Sequence, residues 1–444
     1  MKFTFKNVSL NLQNILTRLE IPSLNEMQEA ALKSLEKGGD LLLLSPTGSG
    51  KTLGFLLPVL GLLNPERQGV QALILVPSRE LALQIEKVFR SMGTGYKVSC
   101  CYGGHSTKTE KNNLLQSPAL LIGTPGRIAH HLRLKSFDPA TVKTLVLDEF
   151  DKSLELGFQA EMGAIAGDLK SLSAHILTSA TELDEIPSFI KLKNLTKLNY
   201  LSDIPIAGLQ VKYLKARGKD KLLALFELIC KLGNEPTLVF CNHREAVDRI
   251  SELLSDKHIT HDVFHGGMEQ DERERALIKF RNGTHHLLIT TDLASRGLDI
   301  PAIRNIIHYQ LAPSETIFTH RNGRTARMHA DGTAWLLLGQ EEYLPAYAKE
   351  GAREEIIKNP SVLPPLSAWS TLYLNAGKKE KISKGDIVGL LIQKGGLGKD
   401  ELGLIEILDH CAFAAVKRSE ARNVLEKIKG EKLKNKSVKI SLSE

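Results

Sequence analysis

No apolar run in this 444-residue chain approaches the roughly 20 residues that a helix needs to cross a bilayer, which excludes an ordinary transmembrane span. The start, MKFTFKNVSL, lacks the charged, apolar and small-residue segments of a secretion signal, so the expectation is a cytoplasmic chain with no membrane partner. Cysteine is scarce: Cys100, Cys101, Cys230, Cys241 and Cys411 are odd in number and contain no CxxC pair, which argues against a zinc site and a disulfide framework. Charge excess is also scarce over most of the chain. The formal net charge is +7, and the stretch from Tyr373 onward accounts for +5 of it, with 15 Lys and Arg against 10 Asp and Glu. A basic tail on a nearly neutral body points to an anionic partner, nucleic acid before membrane, although solubility alone is an equally available reading.

What the chain does have is a rhythm of short apolar runs, each followed by a helix-like stretch. The first half holds DLLLLS, ALILVP, LLIGT, TLVLDE and HILTSA; the second holds TLVFCN, DVFHG, HLLITT, NIIHYQ and TAWLLL. Runs this short, buried on both faces and alternating with helices, read as parallel strands of two α/β sheets. The stretch LSDIPIAGLQ separates the two series, and NPSVLPPLSAWS, rich in Pro and Ser, sets off a third unit. The expected boundaries are 1–202, a linker 203–208, 209–358, a linker 359–370, and 371–444. In the last unit TLYL, LGLIEIL, FAAVK and SVKISL read as strands, with KGDIVGLLIQK and SEARNVLEKIKG as helices. That βαββαβ order is that of a small α+β fold like the RNA-recognition motif.

Chemistry concentrates in a few places. SPTGSGKT, residues Ser45, Pro46, Thr47, Gly48, Ser49, Gly50, Lys51 and Thr52, follows an apolar strand and precedes a helix candidate. In that setting glycines let backbone N–H groups approach phosphate oxygens, Lys51 reaches the β and γ phosphates, and the Thr52 hydroxyl suits Mg²⁺. About one hundred residues later a strand ends in Asp148 and Glu149. Beside a phosphate loop, Asp148 is placed to hold Mg²⁺ through water and Glu149 to activate an attacking water. Alone, the pair would read as an acidic helix start.

Ten stretches in order carry a resemblance. SPTGSGKT, PSRELA, the Gly103–Gly104 pair, TPGR, DEFD and SAT, then VFCN, HGGMEQDER, TTDLASRGLDI and HRNGRTAR, resemble the motif series of the DEAD-box RNA helicases across almost all of residues 1–340. The tail, with GKKEK, KGDIVG and LGLIEI, is similar to the RNA-binding domain of the bacterial DbpA group. The fold that this implies is α/β, two RecA-like parallel-sheet lobes in tandem plus the RRM-like C-terminal domain.

The resemblance implies roles for particular residues. Glu149 and Lys51 act in ATP hydrolysis, with Arg324 and Arg327 as fingers on the γ phosphate; read alone, that arginine run would be a phosphate or RNA patch. Asp299 lies near the ribose. Ser179 and Thr181 couple the site to Asp151, unless they only cap a strand end. Arg79, Gly104, Thr124 and Arg127, with Gln270, Arg273 and Thr290, line a groove along one RNA strand. Gln28 faces the adenine edge, Ile21 stands where a stacking aromatic is usual, Leu24 where Pro is usual, and Phe5 at the upstream aromatic position. Further departures are Ser78 for Thr, Asn322 for Ile, Ala326 for Gly, and Phe150 for the Ala of the family name, its ring expected under SAT or at the lobe interface.

The tail offers only Tyr373 and Phe413 for stacking bases. Its lysines, Lys378, Lys379 and Lys381 in one loop and Lys427, Lys429, Lys432, Lys434 and Lys436 near the end, read either as a solvated face or as docking for a structured RNA, with the second preferred. The resulting expectation is a monomeric enzyme that uses ATP and Mg²⁺ and remodels structured RNA, through large-subunit ribosomal RNA. The alternative is an ATP-regulated RNA-binding clamp without unwinding.

Overall fold

The computed structural model describes residues 12–36, 38–104, 106–183, 185–201, 208–218, 220–295, 300, 303–325, 331–357 and 362–443. Phe5, Asp299, Ala326 and Arg327 lie outside the described residues, as do residues 203–207 of the first expected linker and 359–361 of the second. The chain divides into two compact units: the first is lobe 1, and the second holds lobe 2 together with the tail.

Lobe 1 contains strands β1 (Leu41–Leu44), β2 (Ala72–Leu75), β3 (Val98–Cys101), β4 (Leu120–Gly123), β5 (Thr144–Leu147), β6 (Ala174–Ser179) and β7 (Thr196–Asn199). They form one parallel sheet in the order β3-β4-β2-β5-β6-β1-β7. Their apolar runs have no polar face because both faces are covered. Leu41, Leu43, Ile74, Ile122 and Val146 enter one core with the helices Lys51–Leu62 and Arg79–Ser91. The alternate residues Leu42, Leu44, Leu73, Leu75, Leu121 and Leu145 enter a second core with the helices Pro125–Arg133 and Gln159–Asp168. A strand period of two thus feeds two separate cores. The helix Arg79–Ser91 starts at Ser78, whose hydroxyl accepts from the Leu81 N–H, so Ser caps where Thr is usual.

Lobe 2 repeats the arrangement with β8 (Leu209–Lys215), β9 (Thr237–Phe240), β10 (Asp262–Phe264), β11 (Leu287–Thr290), β12 (Asn305–His308), β13 (Gly332–Leu338) and β14 (Arg353–Glu354). The order is β10-β11-β9-β12-β13-β8-β14, again parallel. The apolar runs do not point to β3, β7, β8 or β14. Three of these are edge strands and β8 lies one place inside an edge, where less burial is demanded of the sequence.

The tail has β15 (Trp369–Leu374), β16 (Leu402–Ile407), β17 (Ala412–Lys417), a short hairpin of β18 (Lys432–Leu433) and β19 (Lys436–Ser437), and β20 (Ile440–Leu442). The sheet is antiparallel in the order β16-β17-β15-β20, with the first strand at its centre, as the βαββαβ order requires. Its first helix is shorter than the pattern suggests. Lys384–Gly389 is α-helical, and the chain then widens by one residue per turn, the Gly395 N–H reaching the Leu390 carbonyl at 2.9 Å.

Phe150 belongs to the second core of lobe 1, fully buried with Leu147, Met162 and Ile165. Phe150→Ala would leave a ring-sized void there. The expected loss of stability is about 3 to 5 kcal/mol, measured by urea unfolding; a loss below about 1 kcal/mol would mean that the ring is not part of the packing.

Candidate active site

Three neighbouring strands of lobe 1, β5, β6 and β1, end side by side and place their following residues together. This is where an open α/β sheet presents ligand-binding groups. After β1 the loop Ser45, Pro46, Thr47, Gly48, Ser49 and Gly50 leads into the helix that begins with Lys51 and Thr52. Gly50 has φ 88°, and a Cβ there would stand 2.5 Å from the Gln28 Nε2, so no other residue fits without displacing that side chain. The loop is held from both sides. The Gln28 Nε2 donates to the Gly50 carbonyl at 3.1 Å and the Asn25 Nδ2 to the Ser49 carbonyl at 2.9 Å, while Asn25 and Gln28 bond each other's backbone N–H. Gln28 is therefore buried and turned to the phosphate loop. Ile21 and Leu24 lie partly buried against the adjoining core. The Lys51 Nζ donates to the carbonyls of Ser45 and Pro46 at 2.5 and 2.9 Å, and the Ser45 hydroxyl to that of Ser49 at 2.7 Å.

Asp148 follows β5 and is 4% exposed. The Thr178 hydroxyl on β6 donates to its Oδ1 at 2.5 Å and accepts from the Glu149 N–H at 3.2 Å, so one buried hydroxyl positions both carboxylate residues. Burial pushes the Asp148 carboxyl above its usual value, against the opposing pull of Thr178 and of the Lys51 charge. Glu149 takes a left-handed backbone, φ 47°, which turns the chain from the strand end into the helix Phe150–Glu155. Asp151 ties in the end of β6: its Oδ2 accepts from the Thr181 hydroxyl at 2.9 Å and from the Ala180 N–H at 3.3 Å. Ser179 has a different partner, its hydroxyl donating to the Thr181 carbonyl at 2.6 Å, and its own carbonyl accepts from the Ser45 N–H of the phosphate loop.

A second group collects after β3 and β4. Glu110, buried, accepts from the Tyr102 N–H at 3.0 Å, the Arg127 Nε at 2.6 Å and the His131 Nε2 at 2.8 Å. Burial alone would raise its carboxyl; these three donors outweigh burial and hold it below its usual value. The Arg79 guanidinium lies 4.6 Å from the Tyr102 ring centre, Gly104 sits beside it with φ 77°, and Thr124 precedes the helix that carries Arg127. Cys101, Glu110 and His131 are close enough to share a metal ion. Glu110 is already engaged by three donors, however, and burial pushes the Cys101 thiol up to about 12, so the trio reads as the support of Arg127 rather than as a metal centre.

Residues 25–186 match the DEAD/DEAH box helicase family, residues 220–329 the helicase conserved C-terminal domain, and residues 371–442 the DbpA RNA binding domain. The ATP-dependent RNA helicase eIF4A of Mycosarcoma maydis is 32% identical over 314 residues, covering 69% of this chain and 76% of that protein. The chain belongs to the DEAD-box RNA helicase family. The ATP-dependent RNA helicase DbpA of Bacillus subtilis (strain 168) is 29% identical over 477 residues, 98% of each chain. Among solved structures, S. cerevisiae Dbp5 bound to RNA and ADP BeF3 is similar with a TM-score of 0.67 and 26% identity, covering 74% of this chain and 86% of that one.

In lobe 2 of this DEAD-box protein, Arg321 is fully buried. It donates to both Asp292 carboxylate oxygens at 2.6 and 3.0 Å, to the Asn242 Oδ1 at 2.8 Å and to the Gln310 carbonyl at 2.9 Å. Arg324 is buried one turn on. The Thr290 hydroxyl at the end of β11 donates to the Phe264 carbonyl at 2.6 Å, and Gln270 and Arg273 bond each other at the start of the helix Gln270–Arg281. Sequence reasoning passed over Asn25, Glu110, Thr178, His131 and Arg321. The available signal was a polar residue inside an apolar stretch, as Thr178 is in HILTSA and His308 in NIIHYQ.

His308 also accounts for Asn322. The two side chains meet at 3.0 Å in the core, the His308 Nε2 with the Asn322 Oδ1, so each supplies one partner to the other. Burial, helped by Arg321 beside it, pushes the His308 imidazole down from 6.5 to about 3. The folded chain refuses a proton that the unfolded chain accepts. Stability therefore falls as pH drops below 6.5 toward 3, with a slope that approaches about 1.4 kcal/mol per pH unit from this residue. His308→Gln should flatten the pH dependence of unfolding between pH 6.5 and 5; equal slopes in both proteins would contradict it.

Proposed function

We propose that this DEAD-box protein is an ATP-dependent RNA helicase that hydrolyses ATP on binding RNA and locally opens structured RNA, with large-subunit ribosomal RNA as its substrate class. The observation that carries the reading is the joining of the phosphate loop, the Asp148–Glu149 pair and the Ser179–Thr181 segment at three adjacent strand ends by direct hydrogen bonds. A nucleotide at the loop meets the N-terminus of the helix Lys51–Leu62, whose open N–H groups and dipole favour phosphate. Lys51 exchanges its two loop carbonyls for phosphate oxygens.

A buried carboxylate already raised by desolvation is stabilised when a cation is set beside it, so Asp148, with the Thr52 hydroxyl, would hold Mg²⁺. When bound, the metal neutralises phosphate charge. Glu149 takes the proton of the attacking water; its left-handed backbone turns the chain from the strand end into the helix, and its side chain does not cap that helix. Arg324 and Arg327 are the groups proposed to stabilise charge on the γ phosphate. Through Asp151, a shift of Thr181 reaches the carboxylate pair directly.

RNA contact is assigned to Arg79, Gly104, Thr124 and Arg127 in lobe 1 and to Gln270, Arg273 and Thr290 in lobe 2. A groove of this composition holds the sugar-phosphate backbone and is tolerant of sequence. Target choice falls to the tail. There the two lysine groups, fifty residues apart in sequence, converge: the Lys434 Nζ donates to the Lys381 carbonyl at 2.8 Å and the Lys436 Nζ to the Glu380 carbonyl at 3.2 Å. The result is one basic edge, which suits a folded RNA.

Two measurements check the reading. Glu149→Gln should lower RNA-stimulated ATP turnover by about 10² or more while ATP binding is kept; unchanged turnover that RNA does not stimulate would rule out the mechanism. Removal of residues 371–444 should level the stimulation by ribosomal RNA fragments and by unstructured homopolymers; an unchanged ranking would show that the tail does not select the target.

A further inference from the structure

The tail's sheet has two faces. Along β15 and β17, Leu372, Leu374, Ala412, Ala414 and Val416 point into the tail's own core. The alternate residues Thr371, Tyr373, Phe413 and Ala415, with Glu406 of β16, form the opposite face, across which they are paired Thr371 to Ala415, Tyr373 to Phe413 and Glu406 to Phe413. In a free domain of this fold that face is open to solvent. Here Thr371 is 0%, Ala415 1% and Phe413 2% exposed, so something covers it.

The cover is lobe 2. The Arg281 guanidinium at the end of the helix Gln270–Arg281 donates to both Glu406 oxygens, each bond 2.7 Å long. The next turn brings the Asn282 Nδ2 to the Thr371 hydroxyl at 3.1 Å and the Thr284 hydroxyl to the same group at 2.7 Å, all three residues buried. The Ser367 hydroxyl donates to the Gly283 carbonyl, and Trp369 packs on Gly283. Earlier on the helix the Arg275 guanidinium stands 5.6 Å from the Tyr373 ring centre. Arg275 and Asn282, seven positions apart, fall on one helical face, and Gln270 and Arg273 stand two to three turns before Arg281 toward the other end of the helix.

We propose that the open face of the tail is a docking surface for lobe 2 rather than a platform for bases, so that tail and lobe 2 grip RNA as one rigid body with the helix Gln270–Arg281 as the strut between them. The chemistry favours a fixed pose. A bidentate Arg–carboxylate pair defines direction as well as distance, and buried hydroxyl contacts leave unpaired groups if the surfaces slide. At 1.5 Å per residue the twelve-residue strut is about 18 Å long, and the tail lies along it from Asp271 and Glu274, beside Cys411, to Arg281, which keeps the tail next to the lobe 2 contacts Gln270 and Arg273. An RNA element seated on the tail's lysine edge then meets Gln270 and Arg273 of lobe 2 at a set distance and angle. Of the tail's candidate stacking aromatics, Phe413 is buried and so closed to base contact, and Tyr373, partly buried, pairs with it, ring centres 5.4 Å apart, beside Arg275 of lobe 2. The inference rests on the RNA-binding role assigned to the tail, and its docking half is testable without RNA.

Cys411 reports docking. It lies between β16 and β17, and burial, with Glu274 and Asp271 of the strut beside it, pushes its thiol up to about 11. In the full chain without RNA, Arg281→Glu should speed alkylation of Cys411 about tenfold, the factor for roughly one bidentate pair, and Arg281→Glu with Glu406→Arg should restore the slow rate. With a duplex placed next to an RNA hairpin that binds the tail, Arg281→Glu should slow unwinding by about the same factor, while hairpin affinity and homopolymer-stimulated ATP turnover stay unchanged. Unaltered alkylation, or failure of the charge swap to restore it, overturns the docking. Faster alkylation with unaltered unwinding overturns the strut. A failure to bind RNA at all overturns the functional reading and leaves the alkylation result standing. Should Arg281→Glu not fold, Glu406→Gln removes the same pair and is read in the same way.

Discussion

Parallel strands buried on both faces leave a chain nowhere to put polar chemistry except at the strand ends, and this constraint organises both lobes. In lobe 1 alternate residues of β1, β2, β4 and β5 fill two separate cores, and at the strand ends Ser45, Asp148 and Ser179 remain buried but exchange apolar packing for hydrogen bonds. Adjacency in the sheet then does what sequence distance cannot. The loop after β1 and the carboxylates after β5 are about one hundred residues apart in the chain and one strand apart in space.

The connections among these ends are short and directional. Thr178 holds Asp148 through its hydroxyl hydrogen and Glu149 through its oxygen, and Asp151 receives both the Thr181 hydroxyl and the Ala180 N–H. Because buried polar groups are costly to leave unpaired, the buried Asp151 holds the segment after β6 in place through these two bonds. Arg127 is held by the same principle, through Glu110.

Much of the fold was legible because its signals are local. Runs such as LLLL, ALIL and TLVL carry strand length and two-sided burial in the residues themselves. SPTGSGKT carries its loop in glycine placement, and the apolar run LGFLLPVL after it carries the helix. The candidate site was legible where residue type alone suggests a role, as with Lys51, Asp148 and Glu149. It was not legible where a role depends on a partner far along the chain. Nothing in HILTSA marks Thr178 as the residue that holds Asp148, and nothing in NEMQ shows that the Gln28 amide donates to the Gly50 carbonyl. Edge strands such as β3 and β7 were missed because little burial is asked of them.

By itself the sequence determined two parallel sheets, a phosphate loop with its carboxylates, and a basic tail of βαββαβ order, since each arises from hydrophobic period, turn residues and charge within short windows. Only the tertiary structure decided what covers what. Phe413 and Tyr373 are aromatic residues on a sheet face in either reading, and period alone places them there. Whether that face meets a base or another lobe depends on Arg281, Asn282 and Thr284, some ninety to one hundred and thirty positions earlier, and on the closure of hydrogen bonds that have no local trace in the sequence.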